Sequence, residues 1–285
     1  MKINTISTDK QKYLQRSFDI DDFPKKLYIL GKLPEKNIPT IAIVGSRKPT
    51  QYGREVTERL ATELSRAGVI IISGLALGID SIAHRATLDA NGTTIAVLAN
   101  GLDTIYPRNH QDLAKQIINK DGALLSEYKP GTPPLPFRFL ERNRIVSGIA
   151  DGIVVVEAAT RSGTLSTATH ALNQNKEVFA VPGNITSPLS SGCNALIKQG
   201  ATPVTSTQDI LDIIAPNAKT EQTRFILGDN PEEVSILQLL QKGLRDGDEL
   251  LQQTKLDPVV FNQTLTMLEI KGQIKSLGAN QWTLR

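Results

Sequence analysis

The sequence predicts an α/β protein: a Rossmann-like, mainly parallel sheet with helices on both faces, followed by a small C-terminal winged-helix domain. Two observations lead to this class. Short apolar runs alternate with helical stretches, and a polar break precedes a short C-terminal unit. With 285 residues, of which 40% are hydrophobic and 21% charged, the chain can bury a sizeable core, as globular proteins do.

Six apolar runs are the predicted strands. Most are rich in Val and Ile, which is typical of strands buried on both faces of a sheet. Between them, the spacing of Val56, Leu60 and Leu64 predicts a helix over 53–67, and a second helix is predicted over 164–173. This alternation favours parallel pairing. The predicted strands are Ile41–Val44, Val69–Ile72, Thr94–Leu98, Ala123–Leu125, Ile153–Val156 and Glu177–Val181.

The chain divides into four predicted parts. Residues 1–26 form a short N-terminal segment, 27–214 the Rossmann-like domain, 215–231 a polar linker with proline near each end, and 232–285 the winged-helix-like domain. The last part predicts three short helices and a hairpin, and a generic helical packing module is its alternative interpretation. The predicted helices are 231–242, 246–254 and 257–271.

The composition argues against several classes of protein. The single cysteine, Cys193, excludes a disulfide framework within one chain, and the three histidines have no paired ligand spacing, so we predict no metal and no cofactor. His84 and His170 have no nearby Ser or Cys in an elbow motif such as G-x-S-x-G, and are interpreted as packing or capping residues. No run approaches the roughly 18 apolar residues of a membrane span, and the start has no apolar signal region. We therefore expect a cytoplasmic protein.

Charge is distributed unevenly along the chain. The net charge is +3, but residues 225–285 carry 6 basic and 8 acidic residues, so the C-terminal unit is not expected to bind phosphates directly. Bulk charge is too low to argue for binding to duplex DNA. Residues 129–147 are an exception to this low charge, because the segment contains four basic residues and a single acidic one, Glu141.

Three predicted loops follow strands of the same sheet. The first is Gly45-Ser46-Arg47, the second contains Gly74, and the third contains Ser162-Gly163-Thr164. Loops that leave strands and open helices present free backbone N–H groups and the positive end of the helix dipole, which favour anions. Neither a dinucleotide nor a Walker motif is present. We expect the loops to line one crevice, although each alone could be purely structural.

The segment 133–144 indicates what kind of anion binds. Three prolines are predicted to hold it as a loop, Phe137 and Phe139 alternate with Arg138, and Arg142-Asn143-Arg144 follows. Cations that follow phosphates and aromatic faces for bases suit a strand of nucleic acid. The alternative is that both phenylalanines are core residues and the arginines pair with acids.

At these residues the sequence resembles the DprA/Smf family of DNA-processing proteins. The similarity extends over about 160 residues in the family's order. It is carried by VGSRKPTQYG (44–53), SGLALGIDSIAH (73–84), TIAVLANGLDTIYPRNH (94–110), LLSEYKPGTPP (124–134), FLERNRIVSGIADGIVVVEA (139–158), SGTLSTATHA (162–171) and VFAVPGNI…SGCNALIKQGA (178–201).

The resemblance implies a binding protein and not an enzyme. It implies sequence-independent binding of single-stranded DNA in natural transformation, homodimerisation through the Rossmann-like core, and transfer of the strand to the RecA recombinase. Only about 40 residues precede the first motif strand, too few for the N-terminal helical domain of many members. The implied DNA- or phosphate-binding residues are Gly45, Ser46, Arg47, Gly74, Phe139, Arg142, Asn143, Arg144, Ser162, Gly163 and Thr164.

An enzyme is the alternative from a different class. Phosphoribohydrolases that resemble lysine decarboxylases share a Rossmann-like fold and a P-G-G-x-G-T-x-E-E motif. The corresponding stretch here keeps Gly163 and Thr164, but Ser166 and Thr167 stand in place of the two carboxylates. The general acid and base are therefore missing, and Glu157 is better interpreted as a positioning group.

Overall fold

A nine-stranded sheet forms the centre of the first of two structural units, Met1–Lys219 and Thr220–Arg285. The computed structural model describes residues 2–216, 230–241 and 243–284. Seven strands of the sheet are parallel, and two antiparallel strands extend one edge. In chain order they are β1 (Asn4–Ser7), β2 (Lys26–Gly31), β3 (Thr40–Val44), β4 (Ile70–Ser73), β5 (Thr94–Val97), β6 (Ala123–Ser126), β7 (Gly152–Val155), β8 (Glu177–Ala180) and β9 (Thr202–Pro203).

Helices cover both faces of this sheet. Because successive side chains of a strand point to opposite faces, Ile41 and Ile43 pack with Leu60 of one helical layer, while Ala42 packs with Ile145 of the other. The helices are α1 (Gln51–Arg66), α2 (Ile79–Asp89), α3 (Gln111–Asn119), α4 (Pro136–Ile149), α5 (Thr164–Asn173), α6 (Ser191–Lys198) and α7 (Gln208–Ile214). Short 3₁₀ helices span Thr8–Lys10, Lys12–Ser17 and Arg108–His110.

The strand order reverses at β3. Across the sheet the order is β1-β2-β6-β5-β4-β3-β7-β8-β9. The chain moves outward from β3 through β4, β5 and β6, and then returns to β7 on the other side of β3. Ligands of open parallel sheets bind at such a reversal, beyond the carboxyl ends of the strands. The topology alone therefore predicts a ligand-binding site at the loops after β3 and β7.

The predicted fold class is confirmed, and the six predicted strands are present with shifts of at most one residue at their ends. The N-terminal boundary differs from the prediction. β1 pairs with β2, and Tyr13 and Leu14 are fully buried, with the Tyr13 hydroxyl 2.6 Å from Thr40 Oγ1. Arg16 also forms a 2.6 Å ion pair with Asp151. The N-terminal segment therefore belongs to the core of the first unit.

The second unit is a winged helix. Its elements are α8 (Pro231–Gln241), α9 (Gly247–Thr254), α10 (Pro258–Ile270), β10 (Ile274–Gly278) and β11 (Gln281–Leu284). Asp246 and Asp257 cap α9 and α10 by accepting hydrogen bonds from backbone N–H groups, and Leu240, Phe261 and Leu268 lie in its core. Most of the predicted linker lies outside the described residues. Among the described helices, none combines the length and apolar character that crossing a membrane requires.

We expect Tyr13→Ala to lower the free energy of unfolding by about 3–5 kcal/mol, because it leaves a cavity under the sheet and removes the partner of Thr40. The measurement is urea-induced unfolding followed by circular dichroism. Phe18→Ala is the matched control, since Phe18 is 46% exposed, and it should change the free energy by about 0.5 kcal/mol or less. Equal effects of the two variants would show that the segment is not part of the core.

Candidate nucleic-acid interface

The loops after β3, β4 and β7 contact one another at the carboxyl edge of the sheet. The Thr164 hydroxyl donates a 3.1 Å hydrogen bond to the Gly45 carbonyl, and the Ile79 backbone N–H donates a 3.1 Å bond to the Ser46 carbonyl. Gly78 has a φ of +78°, and a Cβ atom there would lie 2.3 Å from the Ser46 carbonyl oxygen. Only glycine allows this approach. The structure thus brings the three predicted loops together.

Backbone donors at this edge are available to an anion. Within the described part of the chain, the N–H groups of Ser46, Arg47 and Gly163 make no hydrogen bond. Gly163 is the N-cap of α5, which has no side-chain cap. Free N–H groups at the start of a helix attract negative charge. These donors and the exposed Arg47 side chain form a site suited to a phosphate.

The start of α1, by contrast, is already occupied by a carboxylate. Glu157, 2% exposed, accepts a 2.9 Å hydrogen bond from the Thr50 backbone N–H and a second bond from the Thr50 hydroxyl. A Cβ atom on Gly53 would lie 2.4 Å from the same carboxylate. Glu157 therefore fixes α1 against the end of β7 and stabilises the helix dipole. It acts as a positioning group, with Thr50 as its partner.

A cation and two aromatic rings lie at the rim of the crevice. The Arg47 Cζ atom is 5.3 Å from the centroid of the Phe139 ring, within cation–π range. The Phe139 ring is 5.7 Å from the Tyr106 ring at an interplanar angle of 57°. Tyr106 is 45% exposed. Sequence reasoning missed Tyr106, although its position beside Pro107 and Arg108 in a family motif could have indicated it. We call Ser46, Arg47, Tyr106, Phe139 and Gly163 the rim.

The prediction that prolines hold 133–144 as a loop is wrong from Pro136 onward. Pro136 is the first residue of α4, a position that proline favours because its missing N–H would have no helical partner. The helix places Asn143 against α5, where its amide donates a 2.8 Å hydrogen bond to the Ser166 hydroxyl and a 3.3 Å bond to the Gly163 carbonyl. Asn143 thus ties α4 to the third loop.

Arg142 and Gly74 were expected at the ligand surface, and the structure contradicts this. Arg142 is only 4% exposed and donates hydrogen bonds to the carbonyls of Gly74, at 2.7 Å, and Val97. A Cβ atom on Gly74 would lie 2.3 Å from the guanidinium, so the glycine makes room for it. Burial lowers the pKa of Arg142 to about 10. Arg142 therefore fixes the second loop from inside.

Asp80 completes this internal arrangement. Its carboxylate accepts hydrogen bonds from the backbone N–H groups of Gly74, at 3.0 Å, and Ala76, at 3.3 Å. Burial raises the pKa of Asp80, and the nearby Arg142 charge opposes that rise. The buried Asp80 carboxylate and the buried Arg142 guanidinium thus hold the second loop. The backbone groups of Gly74 and Ala76 bind these two side chains inside the protein.

Arg144 is also not free to contact a ligand. Its side chain is 17% exposed and forms ion pairs with Glu127 at 2.7 Å and Asp22 at 3.5 Å. Because two acids neutralise it, the expected contact to a DNA strand is not supported. Of the predicted cations, Arg47 is the one that reaches the rim with its charge unpaired within the described residues.

The histidines and the cysteine are interpreted as structural. His84 is fully buried with Nδ1 2.7 Å from Thr94 Oγ1, and burial lowers its pKa to about 3. His110 Nδ1 lies 2.8 Å from the Leu75 carbonyl oxygen. Burial raises the pKa of the Cys193 thiol to about 11. No group of three or more potential metal ligands occurs among the residues that the structure describes.

The fold and the crevice define a two-unit protein with a Rossmann-like core, loops converging at the strand-order reversal, and a C-terminal winged helix. Residues 4–215 match the family model of DNA recombination-mediator protein A, and residues 215–280 match that of the DprA winged helix domain. The chain belongs to this family.

Curated members of the family are similar to this chain in sequence. Protein Smf of Escherichia coli is 46% identical over 207 residues, which cover 73% of this chain and 55% of that protein. DNA processing protein DprA of Streptococcus pneumoniae is 44% identical over 193 residues, 68% of each chain. The chain thus matches between about half and two thirds of the length of these two relatives.

Solved structures agree with the fold. DNA processing protein A from Streptococcus pneumoniae has a TM-score of 0.70 and 41% identity over 75% of each chain. DNA processing protein A from Helicobacter pylori has a TM-score of 0.66 and 34% identity, covering 74% of this chain and 95% of that one.

We expect Arg142→Met to lower the free energy of unfolding by about 3 kcal/mol or more, since it removes the donor to the Gly74 and Val97 carbonyls and the positive charge near the buried Asp80. The loss should grow as pH rises above the ordinary Asp pKa of 3.8. Because the folded-state pKa of Asp80 is raised, folding favours the protonated acid, and stability declines as that acid ionises. Denaturant unfolding between about pH 4 and pH 7 measures this effect.

Two further variants test that interpretation. Adding Asp80→Asn to Arg142→Met should recover part of the loss and flatten its pH dependence. Arg85→Met is the control at an exposed arginine of α2 and should have little effect. If Arg142→Met behaves like Arg85→Met, the internal role assigned to Arg142 is wrong.

Proposed function

We propose that the first unit binds single-stranded DNA without sequence preference, with the rim as its central contact. The observation that carries the proposal is the combination of unpaired backbone N–H groups, the Arg47 guanidinium and the adjoining Phe139 and Tyr106 rings. The N–H groups and guanidinium suit phosphates, and the rings suit stacking with bases. Nothing in this set recognises the edge of a particular base, so discrimination between sequences is not expected.

The chemistry favours a single strand over a duplex. Stacking on Phe139 or Tyr106 requires a base that is not already stacked and paired in a helix. A duplex-binding surface also needs a dense array of cations, whereas Arg144 and Arg142 are withdrawn into ion pairs or the interior. A relative supports this choice, since the structure of the Helicobacter pylori protein concerns its single-stranded DNA binding mode.

We further propose a role as a recombination mediator. The family description names a DNA recombination mediator, which supports a role in recombination. We propose that the chain passes bound strands to a recombinase of the RecA type, in the cytoplasm and during uptake and recombination of DNA. Homodimerisation through the first unit is part of the same proposal. The match covers about half to two thirds of the length of the two relatives described. The recombinase and the second copy of the chain are therefore proposed as partners and do not follow from the geometry of this chain.

The enzyme alternative is weaker than the binding function. The Ser166 hydroxyl donates to the Gly163 carbonyl and accepts from the Asn143 amide, and Thr167 is buried. The carboxylate of Glu157 is engaged with Thr50. The third loop therefore lacks an available acid–base group for cleaving a nucleotide. Release of free base from a nucleoside monophosphate by purified protein would favour the enzyme instead.

We expect Arg47→Ala to weaken binding to every single-stranded sequence alike. Losing one phosphate contact should also reduce the slope of log affinity against log salt by about 0.7. Fluorescence anisotropy with labelled single-stranded and duplex oligonucleotides across salt concentrations measures both effects. Arg85→Ala is the matched control. Preferential binding of the duplex would contradict the proposed function, and an unchanged salt slope would contradict the assignment of Arg47.

We expect deletion of residues 225–285 to leave most of the affinity for single-stranded DNA. That segment has 6 basic and 8 acidic residues, so it contributes no excess of positive charge. The measurement is the same titration with the shortened chain, after circular dichroism has shown that it is folded. A folded chain that no longer binds would assign the DNA contact to the winged helix.

A further inference from the structure

A second group of aromatic and cationic side chains lies beside the first turn of α4. The Arg138 Cζ atom is 5.2 Å from the centroid of the Tyr128 ring and 5.4 Å from that of the Phe137 ring. The guanidinium therefore lies within cation–π range of both rings. We call Tyr128, Phe137 and Arg138 the α4 platform. No residue of the platform belongs to the rim.

The α4 platform is held in place by hydrogen bonds of its own. The Tyr128 hydroxyl donates a 2.7 Å bond to the Glu141 carboxylate, and Arg138 donates to the Pro133 carbonyl. Two of its side chains are thus fixed before any ligand arrives, which reduces the conformational entropy lost on binding.

Core packing does not account for Phe137. Its side chain is 52% exposed, and two other apolar residues near the start of α4, Leu135 and Leu140, are 37% and 49% exposed. Scattered exposed apolar residues are ordinary, but several close together are typical of a contact surface. Leu140 also lies beside the third loop, because a Cβ atom on Gly163 would be 3.6 Å from it. The apolar surface therefore extends from Phe137 to the rim.

Helix geometry places the α4 platform and the rim on different sides of one turn. Residues two apart on a helix do not face each other, so Phe137 and Phe139 point in different directions from α4. Phe139 contacts the Arg47 side of the crevice, and Phe137 contacts Arg138. A helix is about 10 Å across with its side chains. A ligand that engages both groups must therefore be extended and must cross the first turn of α4.

We propose that the α4 platform is a second base-binding subsite, occupied by nucleotides of the same strand that the rim binds. This inference rests on the proposed function. The exposed Phe137 ring provides a stacking face beside the partly buried Tyr128 ring, and Arg138 keeps a positive charge next to both for a phosphate. An extended single strand is favoured as the occupant because the surface is continuous with the rim, where the unpaired N–H groups lie. Contact with a second copy of the chain is the competing outcome of the test.

The test uses the full chain and oligothymidine of two lengths. A strand of two nucleotides cannot cross the roughly 10 Å width of α4 and still place a base on each group, whereas one of about 20 can. Phe137→Ala should weaken binding of the longer strand about tenfold and leave the shorter one unchanged. Phe139→Ala should weaken both. Phe18→Ala is the matched control at an exposed phenylalanine, and Arg138→Ala is a second variant that removes the cation.

Each outcome separates the two proposals. If the wild-type chain binds neither oligonucleotide, the proposed function fails. If it binds both and Phe139→Ala weakens them, but Phe137→Ala and Arg138→Ala match Phe18→Ala with the longer strand, the second subsite is overturned while the rim stands. If Phe137→Ala instead shifts the sedimentation coefficient without changing affinity for the longer strand, the α4 platform is an interface between copies. Circular dichroism of each variant confirms that it is folded.

Discussion

The reversal of strand order at β3 is the constraint on which the rest of the structure depends. Because the seven strands β3 to β9 are parallel, their carboxyl ends share one edge of the sheet, and the reversal separates the helices that follow β3 and β7. The resulting crevice receives loops that are distant in sequence, as the hydrogen bond between Thr164 and Gly45 shows across 119 positions. The available N–H groups and the Arg47–Phe139 pair lie at this crevice because the topology brings their loops there.

The polar groups under the crevice form a rigid support. Glu157 fixes the start of α1, Asp80 and Arg142 fix the loop after β4, and Asn143 links α4 to α5. Buried polar groups are costly to leave without partners, and each of these side chains makes hydrogen bonds to the element that it supports. This support explains why only some of the polar residues in the motifs reach the surface. A long, variable ligand such as a nucleic acid strand then meets a surface that is already formed.

The sequence predicted the sheet well and the side-chain roles less well. Strands such as Ile153–Val156 are recognisable because burial on both faces requires a continuous apolar run. The polar edge strand Asn4–Ser7 gives no such signal. Pro136 was interpreted as a helix breaker although proline is favourable at the first position of a helix. The burial of Arg142 could not be foreseen, since its carbonyl partners lie 68 and 45 positions away and only the fold brings them together.

The central claim is that a single strand of nucleic acid lies across the carboxyl edge of the sheet. The most direct measurement is a crystal structure of the protein with oligothymidine. The account predicts a phosphate within hydrogen-bond distance of the Ser46 or Arg47 backbone N–H and a base stacked on Phe139. An oligonucleotide bound to the winged helix alone, or to the opposite edge of the sheet, would contradict it.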